Sequence, residues 1–298
     1  MEWKEKLVAL YLYVCRSYDS KLCLHCQRMS NNFNPEFTDQ EVLTLFLFGI
    51  MQRRFKLKDI YNYSKNHLLS WFPLLPSYQA FDNRLNRMAE VFPVLIQDIL
   101  SYAPVEGIRF DISLIDSMPI VLANAKRSQQ AKVANGLCNK GKCASKGMYY
   151  YGVKLHVMGF KRDGTIPLPE YVGLTPASDN DLSVFRTIVP QVYNRSIFAD
   201  KAYADTLLNQ LLQEQQNATI RTPVKKRRGQ EELDMFAKLL STSVSKVRQP
   251  IESLFSWLEE KVAIQVASKV RSENGLKVHV FGRLAAAVFM IVFPFFNS

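Results

Sequence analysis

The sequence predicts a mixed α/β protein in two parts: an all-helical region over residues 1–107, then a mixed sheet flanked by helices over residues 108–298. Three observations predict it. Apolar residues recur at helical spacing through the first hundred residues. From about residue 108 they gather instead in short β-branched and aromatic runs. Those runs first follow one another directly and then alternate with helical segments, the order that gives a sheet with both antiparallel and parallel neighbours.

In FTDQEVLTLFLFGIMQRRF, Thr38 stands as an N-cap with Glu41 three residues on, ahead of an apolar run. LPSYQAFDNRLNRMAEVFPVLIQDIL starts a helix at Pro76-Ser77 and places Phe81, Leu85, Met88 and Val91 on one face. The strands follow: GIRFDISLID, YYYGVKLHVMGF and TIPLPEYVGLTP, then a helix at DLSVFRTIV, a strand at SIFAD, a helix at ADTLLNQLLQEQQ and a strand at ATIRTP. That makes five strands. A helix, KVRQPIESLFSWLEEK over 246–261, comes next, and the apolar stretch LAAAVFMIVFPFF at 284–296 reads as a buried closing helix. Its 13 residues fall short of the roughly 20 a membrane span requires. With no basic, apolar leader at the start, the expectation is a cytoplasmic, nucleoid-associated protein with no membrane partner.

A chain of 298 residues with 48% hydrophobic and 22% charged residues is ordinary for a folded protein, which excludes a disordered or fibrous class. Five cysteines, an odd number, point to reduced thiols rather than a disulfide framework. Cys23/Cys26 and Cys138/Cys143 are two pairs that one zinc ion could take, but the long spacer and loose second pair favour inert thiols. Charge is uneven: residues 1–107 hold 12 Lys/Arg against 11 Asp/Glu, whereas 108–298 hold 26 against 16. Residues 117–162 carry nine basic side chains, Lys126, Arg127 and Lys146 among them, and no acid. RTPVKKRRG at 221–229 adds Lys225, Lys226, Arg227 and Arg228. Two such clusters on a chain of net charge +11 favour a polyanion, and nucleic acid is the commonest. In the helical part, Arg84, Arg87 and the RRFKLK patch at 53–58 are further basic side chains in reach of DNA, with a solvated face the default.

Two carboxylates stand where strands end. RFDISLIDSMP runs into Asp116, with Pro119 set to stop the strand, and SIFADKAY runs into Asp200. A carboxylate buried there without a partner is costly, so the pair calls for a function. Hard divalent cations take oxygen ligands and need only two or three carboxylates besides the substrate's phosphates. Two such ions about 3.5–4 Å apart serve in-line displacement at phosphorus. A third carboxylate is available on the helix at 246–261. Ile251, Leu254, Phe255 and Leu258 form its packed face, which leaves Glu260 toward solvent while Glu252 and Glu259 both flank the face. Periodicity does not choose between those two, and Pro250 allows Glu252 to be a first-turn acid beside the helix dipole.

LIDSMPI around Asp116, YYGVKLHVM at 150–158, FADKAYAD at 198–205 and RQPIESLFSWLEEK at 248–261 together resemble the catalytic core of DDE transposases from bacterial insertion sequences. The ordered set, rather than any one motif, carries the resemblance. It implies a ribonuclease-H-like fold with a five-stranded mixed sheet, in which Asp116, Asp200 and Glu252 are catalytic and hold two Mg2+ ions, with Mn2+ able to substitute. It also implies an Arg four residues before the Glu, matched by Arg248, and a Lys seven after it, where this chain has Glu259. Lys261 is the nearest replacement.

DNA contacts are expected from Arg248, Lys201, Lys261, Lys126, Arg127 and the cluster Lys225, Lys226, Arg227 and Arg228. His156 reads as a structural histidine, Trp257 as a packed one, and Asp179 and Asp181 as loop and helix-start residues. Asp111, five residues before Asp116, falls on the opposite strand face by alternation. The function so implied is a transposase that binds the terminal inverted repeats of its element, cleaves double-stranded DNA there and joins it to target DNA, as a homodimer or larger synaptic assembly. Residues 1–107 are the expected DNA-end-binding part. The rivals are a metal-dependent nuclease without strand transfer and an inactive, domesticated DNA-binding regulator.

Overall fold

Thr38 opens a helix by reciprocal capping: its hydroxyl accepts the Glu41 N–H (3.3 Å) while the Glu41 carboxylate accepts the Thr38 N–H (2.7 Å). The computed structural model describes residues 2–28, 35–143, 147–226, 229–230 and 232–296. Five helices come first: α1 (Trp3–Ser20), α2 (Asp39–Met51), α3 (Leu57–His67), α4 (Tyr78–Arg87) and α5 (Val91–Leu100). Then follow β1 (Ile108–Asn124), β2 (Asn139–Cys143), β3 (Met148–Arg162), β4 (Leu168–Pro176), α6 (Asp181–Ile188), β5 (Ser196–Phe198), α7 (Thr206–Gln216), β6 (Thr219–Arg221) and α8 (Met235–Val262). Two short helices, α9 (Glu273–Lys277) and α10 (Arg283–Val292), are joined through a wider π-turn at Val278–Gly282.

The chain divides into two compact units, one of residues 1–104 with 258–298 and one of residues 105–257. In the first, α2 is buried on nearly every side from Val42 to Ile50, as a helix apolar all round must be. α10 packs on α2 and α5, so the C-terminal segment belongs to the helical unit and not, as the sequence suggested, to the sheet. Gly282 permits this approach, since a Cβ there would lie 2.6 Å from the Phe46 ring. The continuous run Glu273–Val292 is 20 residues, long and apolar enough to cross a membrane by composition, but mostly buried within its own unit. Asp39, also buried, is held by Arg84 (Nη2 to Oδ2, 2.5 Å) and Arg28 (Nη2 to Oδ1, 2.7 Å). Burial alone would raise its carboxyl, but Arg84 and Arg28 outweigh it and hold it below the usual range. Arg84, which the sequence offered to DNA, is therefore spent inside the helical unit.

The second unit is a six-stranded sheet rather than a five-stranded one, yet it is five strands wide, in the order β2-β3-β1-β5-β6 with β4 also on β3. β2 pairs with β3 over Met148–Gly152 and β4 with β3 over Val153–Phe160, so the two share one edge in succession. β2, sequence NKGKC, has no apolar alternation and so gave no strand signal. β1 is antiparallel to β3 and parallel to β5, and β5 is parallel to β6, the mixed sheet expected. One cluster of buried residues, Ile115, Met158, Ile197 and Ile220 from the strands with Phe185 and Leu212 from α6 and α7, forms a core on one side of it.

β1 does not stop at Pro119. It runs 17 residues, and Asp116 lies in its middle. β5 pairs with β1 only as far as Leu114, so beyond that point β1 has one free edge, where a proline without its N–H is tolerated. Gly152, opposite this stretch, is needed for close approach, because a Cβ there would meet the Ile120 carbonyl oxygen at 2.0 Å.

Candidate active site

Parallel register sets the two aspartates side by side. Leu114 and Phe198 are the last pair, Asp116 and Asp200 each lie two residues further on, and they are near enough for the charge of Asp200 to act on Asp116. Asp116 is about four-fifths buried, its side chain 21% exposed. Its Oδ1 accepts the N–H of Ser117 (2.8 Å) and its Oδ2 accepts from Arg248 Nη1 (2.7 Å). Arg248 also donates through Nη2 to Glu252 Oε1, one helical turn away on α8. One guanidinium thus joins the first and third of the expected carboxylates.

Burial pushes the Asp116 carboxyl up to about 6, and the neighbouring charge of Asp200 adds to this, while Arg248 and the Ser117 N–H oppose it. Asp200 is half-buried and its carboxylate has no hydrogen-bond partner among the described residues. Glu252 is 55% exposed. α8 is 28 residues long, which places Pro250 and Glu252 in its interior; the first-turn explanation for Glu252 fails. Glu259 accepts the N–H of Gln265 (2.7 Å), and Glu260 pairs with Arg53 (3.3 Å) and Lys261 (3.5 Å). Glu252 is the glutamate that shares a guanidinium with Asp116.

Among the described residues no three His, Cys, Asp or Glu side chains converge closely enough to hold one ion. The donor types nonetheless suit a hard divalent cation: two adjacent carboxylates, one destabilised as an anion, and a third tied to the first by a cation. Arg248 supplies that positive charge here. None of the five cysteines forms a disulfide among the described residues.

Behind Ser117 lies a group the sequence set aside. Asn180, not Asp181, caps α6, which frees the Asp181 carboxylate to accept from Ser117 Oγ (3.0 Å) and Lys154 Nζ (3.1 Å), with His156 Nδ1 3.9 Å away. Lys154 also donates to the Asp179 carbonyl (2.7 Å). His156 Nε2 sits 2.9 Å from Thr175 Oγ1, a satisfied structural histidine as expected. The Tyr203 hydroxyl is buried without a hydrogen-bond partner among the described residues, and burial, then the charges of Asp181, Asp116 and Asp200, push it well above its usual value. The sequence signal for Asp181 was the two-residue spacing of Lys154 and His156, which points both at one face of β3.

Asp111 lies outside the site, but not by alternation: a bulge between Arg109 and Ser113 breaks the strand's period, and Asp111 pairs with Arg109 (3.0 Å). Lys201 is exposed with no carboxylate partner among the described residues, and Trp257 is half-buried. Lys126 and Arg127 are exposed on a turn after β1, and Lys225 and Lys226 are exposed after β6. Arg227, Arg228 and Lys146 lie outside the described residues.

A family of transposase DDE domains matches residues 106–272, more than half the chain. The chain belongs to the transposase DDE domain family. No curated protein and no solved structure matches it. The matched segment of this DDE transposase contains Asp116, Asp200, Arg248 and Glu252, and its sheet has the ribonuclease-H-like arrangement.

Proposed function

We propose that this DDE transposase binds the terminal inverted repeats of its insertion sequence, cleaves DNA there and transfers the freed 3′-hydroxyl to target DNA, with Asp116, Asp200 and Glu252 as its catalytic carboxylates. The observation that carries the reading is the bridge from Asp116 through Arg248 to Glu252, with Asp200 just past the end of the parallel strand. Mg2+ ions held by the three carboxylates, replaceable by Mn2+, would activate the attacking hydroxyl and neutralise charge on the leaving oxygen. In this reading Lys201 binds the phosphates that flank the reacting one, and Arg248 joins it when the ions take over the carboxylates. The basic surface at Lys126, Arg127, Lys225 and Lys226 holds the DNA backbone, and Lys261 with the helical unit contributes to end binding. Pairing two ends requires at least two active sites, hence a dimer or larger assembly on DNA.

The test is cleavage and joining of a duplex carrying the element end, with Mg2+ or Mn2+. Asp116→Asn, Asp200→Asn and Glu252→Gln are each expected to abolish both steps while end binding persists. Full cleavage by Asp116→Asn would sink the assignment, and cleavage without any joined product by the wild type would make the protein a nuclease.

A further inference from the structure

At the far end of β1 from Asp116 the sheet carries a cleft of about 480 Å³, lined by Asn124, Lys126, Gln129, Lys140, Met148 and Tyr149. Tyr149 is 53% exposed. It pairs across the ladder with Lys142, and Lys140 lies two residues along on the same face. Both ammonium groups sit near its ring, Lys140 Nζ 5.2 Å and Lys142 Nζ 5.7 Å from the centroid. None of Lys126, Lys140 and Lys142 has an acidic partner among the described residues, and the stretch 117–162 contains no acid at all. An exposed ring among unneutralised cations has a stacking surface and phosphate-binding charge in one place.

We propose that this cleft is a binding site for an unpaired nucleotide of DNA, with the base stacked on Tyr149 and its flanking phosphates held by Lys126, Lys140 and Lys142. The volume is that of a small-molecule pocket, which admits one extruded nucleotide and excludes a duplex. Stacking on an aromatic side chain within a basic groove is how single strands are held without base-specific contacts. Asn124 lies eight residues beyond Asp116 on the same strand. At about 3.3 Å per residue the cleft is therefore roughly 25 Å from the catalytic carboxylate, about seven nucleotides along a strand at 3.4 Å each. A DNA strand reaching from one to the other must be opened locally at the cleft. The inference rests on the DNA-transposition reading for the source of its strand, but its test is independent of catalysis.

The experiment uses the full chain carrying Asp116→Asn, so that no strand is cut, and compares a fluorescent oligothymidylate with a blunt duplex by anisotropy. Tyr149→Ala is expected to weaken oligothymidylate binding about tenfold and duplex binding far less, while Tyr149→Phe binds as the parent does. Lys140→Ala is expected to lower the slope of log affinity against log salt by about one. Photo-crosslinking of a 5-bromodeoxyuridine oligonucleotide should place the adduct on the peptide containing Tyr149. Unchanged binding by a folded Tyr149→Ala chain, equal losses on both DNAs, or an adduct elsewhere overturns the proposal. A wild type that cleaves no element end but shows Tyr149-dependent binding would reject the transposition reading and leave the cleft's assignment standing.

Discussion

Arg248 Nη1 lies 2.7 Å from Asp116 Oδ2, and the same guanidinium bonds Glu252, so a residue of α8 neutralises a residue in the middle of β1. The contact offsets a conflict built into the sheet, where register forces Asp116 and Asp200 together in a mostly buried place. Arg248→Ala leaves Asp116 without its counter-charge and is expected to slow end cleavage about 100-fold. Arg248→Lys keeps the charge but loses the planar fork that reaches both carboxylates, and an intermediate loss of about tenfold is expected. Rates on an end-containing duplex decide it: a lysine variant as fast as wild type would show the bridge to be incidental.

Asp181 supports the same strand from behind. Its carboxylate holds the hydroxyl of Ser117, whose N–H in turn holds Asp116, and it is the charged partner of Lys154. Lys154 is 17% exposed, so Asp181→Ala strands a mostly buried ammonium and is expected to cost about 3 kcal/mol of stability. Asp179 offers Lys154 only its backbone carbonyl, and Asp179→Ala is expected to be neutral within about 0.5 kcal/mol. Urea titration of the two variants separates them, and equal stabilities would remove Asp181 from this role.

His156 gives the sheet an acid limit. Burial, which outweighs the attraction of Asp181, lowers its pKa to about 4, against an ordinary value of 6.5. The unfolded chain therefore takes up a proton that the folded chain refuses. The His156 contribution to stability is full above pH 6.5, falls as the pH drops toward 4, and is lost below that. About 3 kcal/mol is at stake, since each unit is worth about 1.4 kcal/mol. The raised Asp116 carboxyl acts with the opposite sign over the same range, so the His156 contribution is read as a difference: the neutral amide of His156→Gln should make the chain lose less stability than wild type between pH 6.5 and 4. Parallel curves for the two proteins would contradict a buried neutral histidine.

How much of this was legible in the sequence depended on whether the signal was local. The capping pair Thr38/Glu41, the apolar strands and the alternation of helices after β4 follow from short-range preferences, and the structure has them where they were expected. β2 was missed because its inward face, Asn139, Gly141 and Cys143, carries no large apolar residue to announce it. Pro119 misled because its effect depends on whether β5 extends beside it, which is a property of pairing and not of the residue. At the site, Asp116 and Asp200 stood out as acids at the ends of apolar runs, whereas Asp181 read only as the helix start that it is. Only the folded sheet brings Lys154 and Ser117 to it. The C-terminal helix was read correctly as buried, but burial alone does not name the partner, which is α2 and α5.

Glu259 stands where the transposase pattern has a lysine, and its surroundings in the helical unit explain why a lysine would not serve there. Its carboxylate accepts the Gln265 N–H at 2.7 Å, just past the end of α8, and so fixes the chain's exit from the helix. It also lends negative charge to Arg283, whose guanidinium is nearly buried and bonds the carbonyls of Val262 and Phe55 at 2.5 Å each. Burial lowers Arg283 to about 10, and Glu259 acts against that fall. Glu259→Lys removes a charge-assisted hydrogen bond and sets a second cation near a buried one, for an expected loss of about 2–4 kcal/mol. Glu259→Gln keeps an acceptor for the Gln265 N–H and should lose only about 1 kcal/mol. Chemical denaturation of the two variants tests this directly. If the lysine variant were as stable as wild type and cleaved DNA faster, Glu259 would be a lost catalytic position instead of a structural one.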